Sequence, residues 1–238
     1  MNKIILLFFI GLSFYSCKQN SSVGFGTNAE NAVNEKTLDS INREKQRIHM
    51  EMVEAGQEKM KILVQNKIDD YKVQLQSARQ ELDEINKFQF GRLQSEKNQQ
   101  LASQRAVIND IEAMIRGYQN VLPKLGVYKT FDFNSTPEQL LNELFRASRN
   151  RDFTNFQYLV DPYAEGDGDI MMLSVIDGMP SSSKNQIALE FENGRIMGQV
   201  QYMSEDKAVA EIAIGPASTR LEKITMIKRM GSWYLYSL

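Results

Sequence analysis

Apolar residues recur at helical spacing along a proline-free stretch that runs from about residue 35 to residue 122. One stripe has spacings of 4, 4, 3, 4, 3, 4 and 3 residues and consists of Met60, Val64, Ile68, Tyr71, Leu75, Ala78, Leu82 and Ile85. A second stripe repeats every seven residues and consists of Leu101, Ile108, Ile111, Ile115, Tyr118 and Leu122. Such stripes keep one face of a helix against a partner. Residues 35–122 are therefore predicted to form a helical hairpin or a coiled coil.

The two stripes do not share a phase. Leu101 lies sixteen residues after Ile85, which is two residues more than two heptads. The segment Phe88–Arg92 lies between them and contains Gly91, a poor helix former. We predict an antiparallel hairpin that turns at this segment and whose first arm is longer than its second. A continuous helix that dimerises in parallel, with a local skip in its repeat, is the alternative.

A different pattern begins after the helical stretch. Residues 123–134 contain a proline and a glycine and are predicted to form a linker. Ser135 and Glu138 have the spacing of a capping box, which predicts the start of a helix that ends near Asn150. A shorter helix is predicted from Asp152.

Short β-branched or aromatic runs, separated by turn residues, fill the rest of the chain. We predict strands at Ile170–Ile176, Gln186–Phe191, Arg195–Met203, Lys207–Ile214, Glu222–Arg229 and Ser232–Ser237. Met230 and Gly231 predict a tight hairpin between the last two strands. Two helices that lead into a curved antiparallel sheet indicate an α+β domain over residues 135–238.

The first residues have the layout of an export signal. Lys3 gives a positive charge, and Ile4–Phe14 is an apolar run too short to cross a bilayer. The stretch Leu12–Cys17, with Ser16 directly before the cysteine, resembles a bacterial lipobox. That resemblance implies a signal peptide over residues 1–16. It also implies a mature chain that begins at a lipidated Cys17, which carries diacylglycerol and an amide-linked acyl chain such as palmitate.

The alternative at this end of the chain is ordinary signal cleavage that leaves or removes a free thiol. Residues 17–34 are rich in Asn, Ser and Gly and predict a flexible linker. Together with a lipid anchor, this layout predicts a protein of the bacterial cell envelope. Its folded part would stand outside the cytoplasm, tethered to the inner or the outer membrane.

Charge and composition exclude several classes of function. The 238 residues carry a formal net charge of -2, and the charges of the helical stretch are interspersed and nearly balanced, which argues against nucleic-acid binding. The single cysteine and the single histidine, His49, cannot form a Cys/His metal cluster or a disulfide framework. We expect no cofactor and no metal, and we interpret His49 as a surface or seam residue.

Four segments of the C-terminal region resemble NTF2-like domains, in particular those attached to bacterial lipoproteins. They are Thr136–Leu140, Arg149–Phe153, Lys207–Ile212 and Lys228–Tyr234, the last with a Gly-x-Trp strand. The resemblance covers residues 135–238. It implies a bent sheet that wraps around a helix as a cone, whose cavity holds a ligand, performs chemistry or is filled by side chains.

The residues that we expect to line such a cavity are Tyr158, Gln199, Gln201, Trp233 and Tyr234. Alternating aromatic residues on a last strand are also typical of core and cross-strand pairs. Asp161, Asp169 and Glu190 are candidate bases, although such acids more often lie at turns or in solvent. The loop Glu165–Asp169 alternates acids with glycines, as calcium loops do, but its spacing favours a solvated turn. We assign no catalytic residue.

The sequence thus predicts a lipid-anchored, non-enzymatic interaction or scaffolding module. Its expected partners are the membrane, through the anchor, and a protein or a second copy, through residues 35–122. The alternative is an NTF2-like domain that binds a small molecule or acts as an enzyme inside the cone.

Overall fold

The computed structural model describes residues 27–88 and 94–238. Its helices are α1 Thr27–Lys87, α2 Gln94–Val121, α3 Pro137–Asn150, α4 Gly168–Leu173 and α5 Ser181–Phe191, and its strands are β1 Arg195–Tyr202, β2 Lys207–Ile214, β3 Arg220–Arg229 and β4 Ser232–Ser237. This confirms the predicted α+β class. Glu44–Leu238 form one compact unit, so α2, the sheet and most of α1 share one core. No helix within the described ranges carries an apolar stretch long enough to cross a bilayer.

The predicted antiparallel hairpin is present. The guanidinium of Arg79 on α1 lies 2.8 Å from the carboxylate of Glu112 on α2, and the side-chain amide of Gln104 donates to the carbonyl of Ala78 at 2.9 Å. α1 has 61 residues and α2 has 28, so the first arm is the longer one. Of the predicted corner, residues 89–93 lie outside the described part of the chain.

α1 begins at Thr27, inside the segment that was predicted to be a flexible linker over residues 17–34. The linker prediction is therefore wrong for residues 27–34. The remainder of the linker, Cys17 and the predicted signal peptide lie outside the described residues.

α3 agrees with its prediction except at its cap. Thr136, rather than Ser135, accepts a hydrogen bond from the backbone N–H of Gln139 at 3.2 Å. Pro137 then occupies the first helical position, where its fixed φ suits a helix and its missing N–H costs nothing. The helix ends as predicted at Asn150.

The predicted strands Ile170–Ile176 and Gln186–Phe191 are wrong, because both segments are helical. Asp167 caps α4 by accepting from the N–H of Ile170 at 2.9 Å. In α5, Ala188 and Phe191 are buried three residues apart, which is a helical and not a strand period. Short apolar runs fit either structure, so periodicity alone does not distinguish a strand from a buried helix here.

The remaining four predicted strands are present in one antiparallel sheet of order β1-β2-β3-β4. The bounds of β2 and β4 are as predicted. Met230 and Gly231 both have positive φ, 47° and 92°, and join β3 to β4 as the expected tight turn. The inner face of β2 is fully covered, since Ala208, Ala210, Ile212 and Ile214 are at most 1% exposed. They share one apolar core with the leucines of α3, so side chains fill the interior of the sheet.

Candidate functional site

The most distinctive site of the molecule is the place where α1 packs onto the α+β fold. Its buried stripe has spacings of 4, 3, 4, 4 and 4 residues and consists of His49, Val53, Gly56, Met60, Val64 and Ile68. We call residues 49–68 the docked segment. It extends the predicted stripe by three positions toward the N-terminus. Those positions include a histidine and a glycine, so an apolar pattern does not show them.

Gly56 is required by a close approach of two backbones. A Cβ atom at this position would lie 2.2 Å from the carbonyl oxygen of Pro162 and 2.6 Å from the carbonyl carbon of Tyr163. The amine of Lys59, one turn later, donates to the carbonyl oxygen of Ala164. The loop of residues 162–164 therefore fits directly against the helix, and only glycine allows this contact.

His49 lies in this interface with 6% of its surface exposed. Its Nδ1 is 2.7 Å from the hydroxyl of Tyr163, and its Nε2 is 3.0 Å from the hydroxyl of Tyr128. The Tyr128 hydroxyl is in turn 3.1 Å from that of Tyr234 on β4. Because a neutral imidazole donates at one nitrogen and accepts at the other, and a phenol does both, one continuous hydrogen-bond chain satisfies all four side chains.

A buried ion pair adjoins this chain. Nε and Nη2 of Arg229 each lie 3.0 Å from a carboxylate oxygen of Asp161, whose side chain is fully buried. Arg229 also donates to Glu165 at 2.6 Å, and its guanidinium lies 4.2 Å from the centre of the Tyr163 ring. A bidentate pair with a stacked guanidinium fixes the position of Tyr163, and Tyr163 holds His49.

Burial sets the protonation of this network. Burial, together with the nearby positive charge of Arg229, lowers the pKa of His49, which favours the neutral imidazole. Burial and the hydrogen bond to Tyr128 raise the pKa of Tyr234, and burial raises that of Tyr163, so both phenols keep their protons. We call His49, Tyr128, Tyr163 and Tyr234 the tyrosine clamp. Its uncharged side chains link α1 to the 128–163 region and to β4.

A cleft beside the clamp has a volume of about 60 Å³. Its lining residues come mainly from α1, from the 125–129 segment and from the loop before α4, with Tyr234 from β4. Those with polar side chains include Gln57, Tyr128, Gln157, Tyr158, Asp161 and Tyr234. Sites for drug-sized ligands have volumes of roughly 300–1,000 Å³. The cleft has room for a few water molecules only.

The structure separates the five residues predicted to line one cavity. Tyr158 and Tyr234 both border the small cleft. Gln199 and Gln201 are exposed and line a shallow hollow of about 340 Å³, on the face of the sheet opposite α3. Trp233 is buried in the core, with its ring centre 5.7 Å from that of Tyr202. Cys17, the predicted lipid attachment site, lies outside the described residues.

The candidate bases have ordinary structural surroundings. Asp161 is paired with Arg229, Glu190 is paired with Arg220, and Asp169 is exposed. In the predicted solvated turn, Asp167 accepts both from the N–H of Ile170 and from the N–H of Leu238, at 2.9 Å each. No group of three or more metal-binding side chains lies together within residues 27–88 and 94–238.

Comparisons with family models, with curated proteins and with solved structures gave no significant match to this chain. Its function therefore has to be argued from its own residues and their geometry.

Proposed function

We propose that this protein is a lipid-anchored component of the bacterial cell envelope that acts as a non-enzymatic interaction module. The anchor would be Cys17, which follows the signal-like run Ile4–Phe14 and Ser16. Two or more acyl chains hold a protein on a membrane stably, whereas one chain holds it only marginally. The mature chain would be tethered to the inner or the outer membrane, with its folded part in the periplasm or at the cell surface.

The observation that carries the interaction role is the uncovered face of α1 between residues 48 and 62. α1 is held to the fold along one side, yet it leaves apolar side chains in solvent on another, at Ile48, Met52 and Ile62. Further along the chain toward the predicted anchor, every described side chain from residue 37 to residue 48 is exposed. A helix that is fixed on one side and apolar on a free side suits a partner helix.

The filled interior of the sheet supports a structural rather than a catalytic role. The inward positions of β2 share one apolar core with α3 and are at most 1% exposed, and the cleft beside the tyrosine clamp measures about 60 Å³. The acids considered as bases are paired or exposed, as described above. We therefore assign no catalytic function.

Two labelling experiments test this proposal. Radiolabelled palmitate should label the wild-type chain and should not label a Cys17→Ser variant, and only the wild type should remain with washed membranes. Equal labelling of both chains, or a mature N-terminus at another residue, would contradict the anchor. For the interaction role, Ile48→Glu should reduce the crosslinked species formed in intact cells, whereas Met50→Glu, on another face of the helix, should not.

The alternative function is the binding of a small molecule, and the hollow on the outer sheet face is the observation that favours it. Its volume of about 340 Å³ is large enough for a ligand, and Gln199, Gln201, Glu211 and Lys223 supply polar groups. A ligand screen by thermal shift, repeated with Gln201→Ala, tests this alternative. A compound that stabilises the wild type and not the variant would support it.

A further inference from the structure

Three of the exposed apolar residues of α1 lie on one line along the helix. Ile48, Met52 and Ile62 are 48%, 36% and 56% exposed. With Lys45, Ala55 and Lys59 they alternate by three and four residues, as the a and d positions of a coiled coil do. The sequence continues the same phase at Leu38 and Ile41. From Leu38 to Ile62 the pattern spans about three and a half heptads, a length typical of coiled coils.

This line, which we call the free seam, adjoins the docked face, because the amine of Lys59 reaches the carbonyl oxygen of Ala164. Successive residues of an α-helix are about 100° apart, so the mean direction of Ile48, Met52 and Ile62 lies about 130° from that of Val53 and Met60. A second helix that packs on Ile48, Met52 and Ile62 would therefore contact a side of α1 other than the one that buries Val53 and Met60. A two-fold axis parallel to α1 would place the two folds on opposite sides of the paired helices.

We infer that the free seam binds a second copy of this chain, in parallel and in register. The inference rests on the proposed function, because lipid anchors at Cys17 would start both copies at the same membrane and so set the parallel direction. Copies on one membrane also meet at a raised effective concentration, so that a short seam suffices for association.

Charge supports the same pairing. In a parallel coiled coil an a residue packs beside the preceding g residue of the other helix, which places Lys45 next to Glu44 of the second copy. Lysine at an a position also favours one register at some cost in affinity, and this seam has two such positions, Lys45 and Lys59. Glu44 and Glu51 are each paired with Arg47 on their own helix, which limits repulsion between like charges across the interface.

A membrane surface is a poorer occupant of the free seam. Residues 44–62 contain four acidic side chains, Glu44, Glu51, Glu54 and Glu58, and four basic ones, Lys45, Arg47, Lys59 and Lys61. Helices that lie on anionic bilayers carry an excess of Lys and Arg on the polar face, and this helix has none. Vesicle binding is therefore an outcome that would contradict the inference.

The test uses cysteine crosslinking in the full chain. Ile48→Cys places a thiol on the free seam, and Met50→Cys places one on another face of the same turn, at a residue that is also exposed. A short bis-maleimide linker should give about tenfold more crosslinked dimer with Ile48→Cys than with Met50→Cys. Lys45→Ile should tighten the dimer about tenfold, since it replaces one of the two charged a positions with an apolar one.

The same variants in a Cys17→Ser background separate this inference from the proposed anchor. If palmitate labels the wild type but the two thiols crosslink equally well, the dimer is wrong and the anchor stands. If palmitate does not label the wild type but Ile48→Cys still crosslinks selectively, the seam stands without the anchor. Binding of the Cys17→Ser chain to vesicles of anionic phospholipid, lost on Ile48→Glu, would overturn the dimer in favour of a membrane contact.

Discussion

Two parts of one helix, the docked segment and the distal part of α1 beyond Tyr71, both repeat at spacings of three and four residues but differ in burial. In the docked segment Val53, Val64 and Ile68 are at most 2% exposed, and Val64 and Ile68 belong to the apolar core that includes residues of α2, α3 and the sheet. Leu75 and Leu82 in the distal part remain half-buried beside α2. The periodicity therefore identifies which face of a helix packs. The number of elements around that face decides how deeply its side chains are buried, and so how much they stabilise the fold.

The largest difference between the two parts should appear when a buried side chain is truncated. Ile68→Ala is expected to lower the free energy of unfolding by about 3 kcal/mol, since it removes fully buried methylenes and leaves a cavity. Leu82→Ala, at a half-buried position, should cost about 1 kcal/mol. Urea denaturation of both variants measures the two values. Equal losses would mean that the two parts of α1 contribute alike.

The next largest loss of stability is expected at Gly56, where the backbone of α1 lies close to the backbone of the 162–163 loop. Gly56→Ala should lower stability by about 2 kcal/mol, because the new Cβ meets the backbone at Pro162 and Tyr163, which cannot rotate away as a side chain could. This loss opposes the gain of about 1 kcal/mol that alanine brings to a helix interior. Gly126→Ala is the matched control, since nothing lies within 4 Å of the added atom. A stabilised Gly56→Ala variant would show that α1 does not touch the 162–163 loop.

The sequence predicted much of this architecture and little of the docking site. The hairpin and four strands follow from heptad and alternating patterns that reach over many residues. Gly56 and His49 could not be recognised, since a glycine and a histidine do not read as apolar, and their partners Pro162 and Tyr163 are more than one hundred residues away. The stripe from Met60 to Ile68, continued backward at helical spacing through Val53, would have been the available signal.

The burial of His49 in the tyrosine clamp predicts that the stability of the fold depends on pH through the titration of this side chain. The pKa of His49 is lowered in the folded chain below the ordinary value of 6.5, so the unfolded chain takes up the proton more readily. The stabilisation is complete above pH 6.5 and is lost as the pH falls below it, toward the lowered value in the fold. The melting temperature of the wild type should therefore drop more between pH 7.5 and pH 5.5 than that of His49→Gln.

His49 is the only histidine of the chain, so the difference between the two melting curves isolates its contribution. The carboxylates contribute equally to both proteins and cancel. Parallel pH dependences for the wild type and His49→Gln would show that the imidazole is hydrated rather than held between Tyr163 and Tyr128.

The smallest loss of stability is expected from a surface ion pair between the two arms of the hairpin. Arg79 and Glu112 form an ion pair between α1 and α2 at 2.8 Å, but more than half of the arginine side chain is in solvent. Arg79→Ala should cost at most about 0.5 kcal/mol, and the loss should decrease in high salt. A loss comparable with that of Ile68→Ala would mean that this pair, and not apolar burial, holds the two arms together.

Hydrogen exchange of the full-length chain, followed by mass spectrometry, tests most directly whether the docked segment belongs to the folded core. We expect the amides of residues 53–68 to exchange most slowly within α1, and those of residues 75–85 to exchange faster, because fewer buried contacts resist their local opening. Uniform protection along α1, or fastest exchange between residues 53 and 68, would contradict this account.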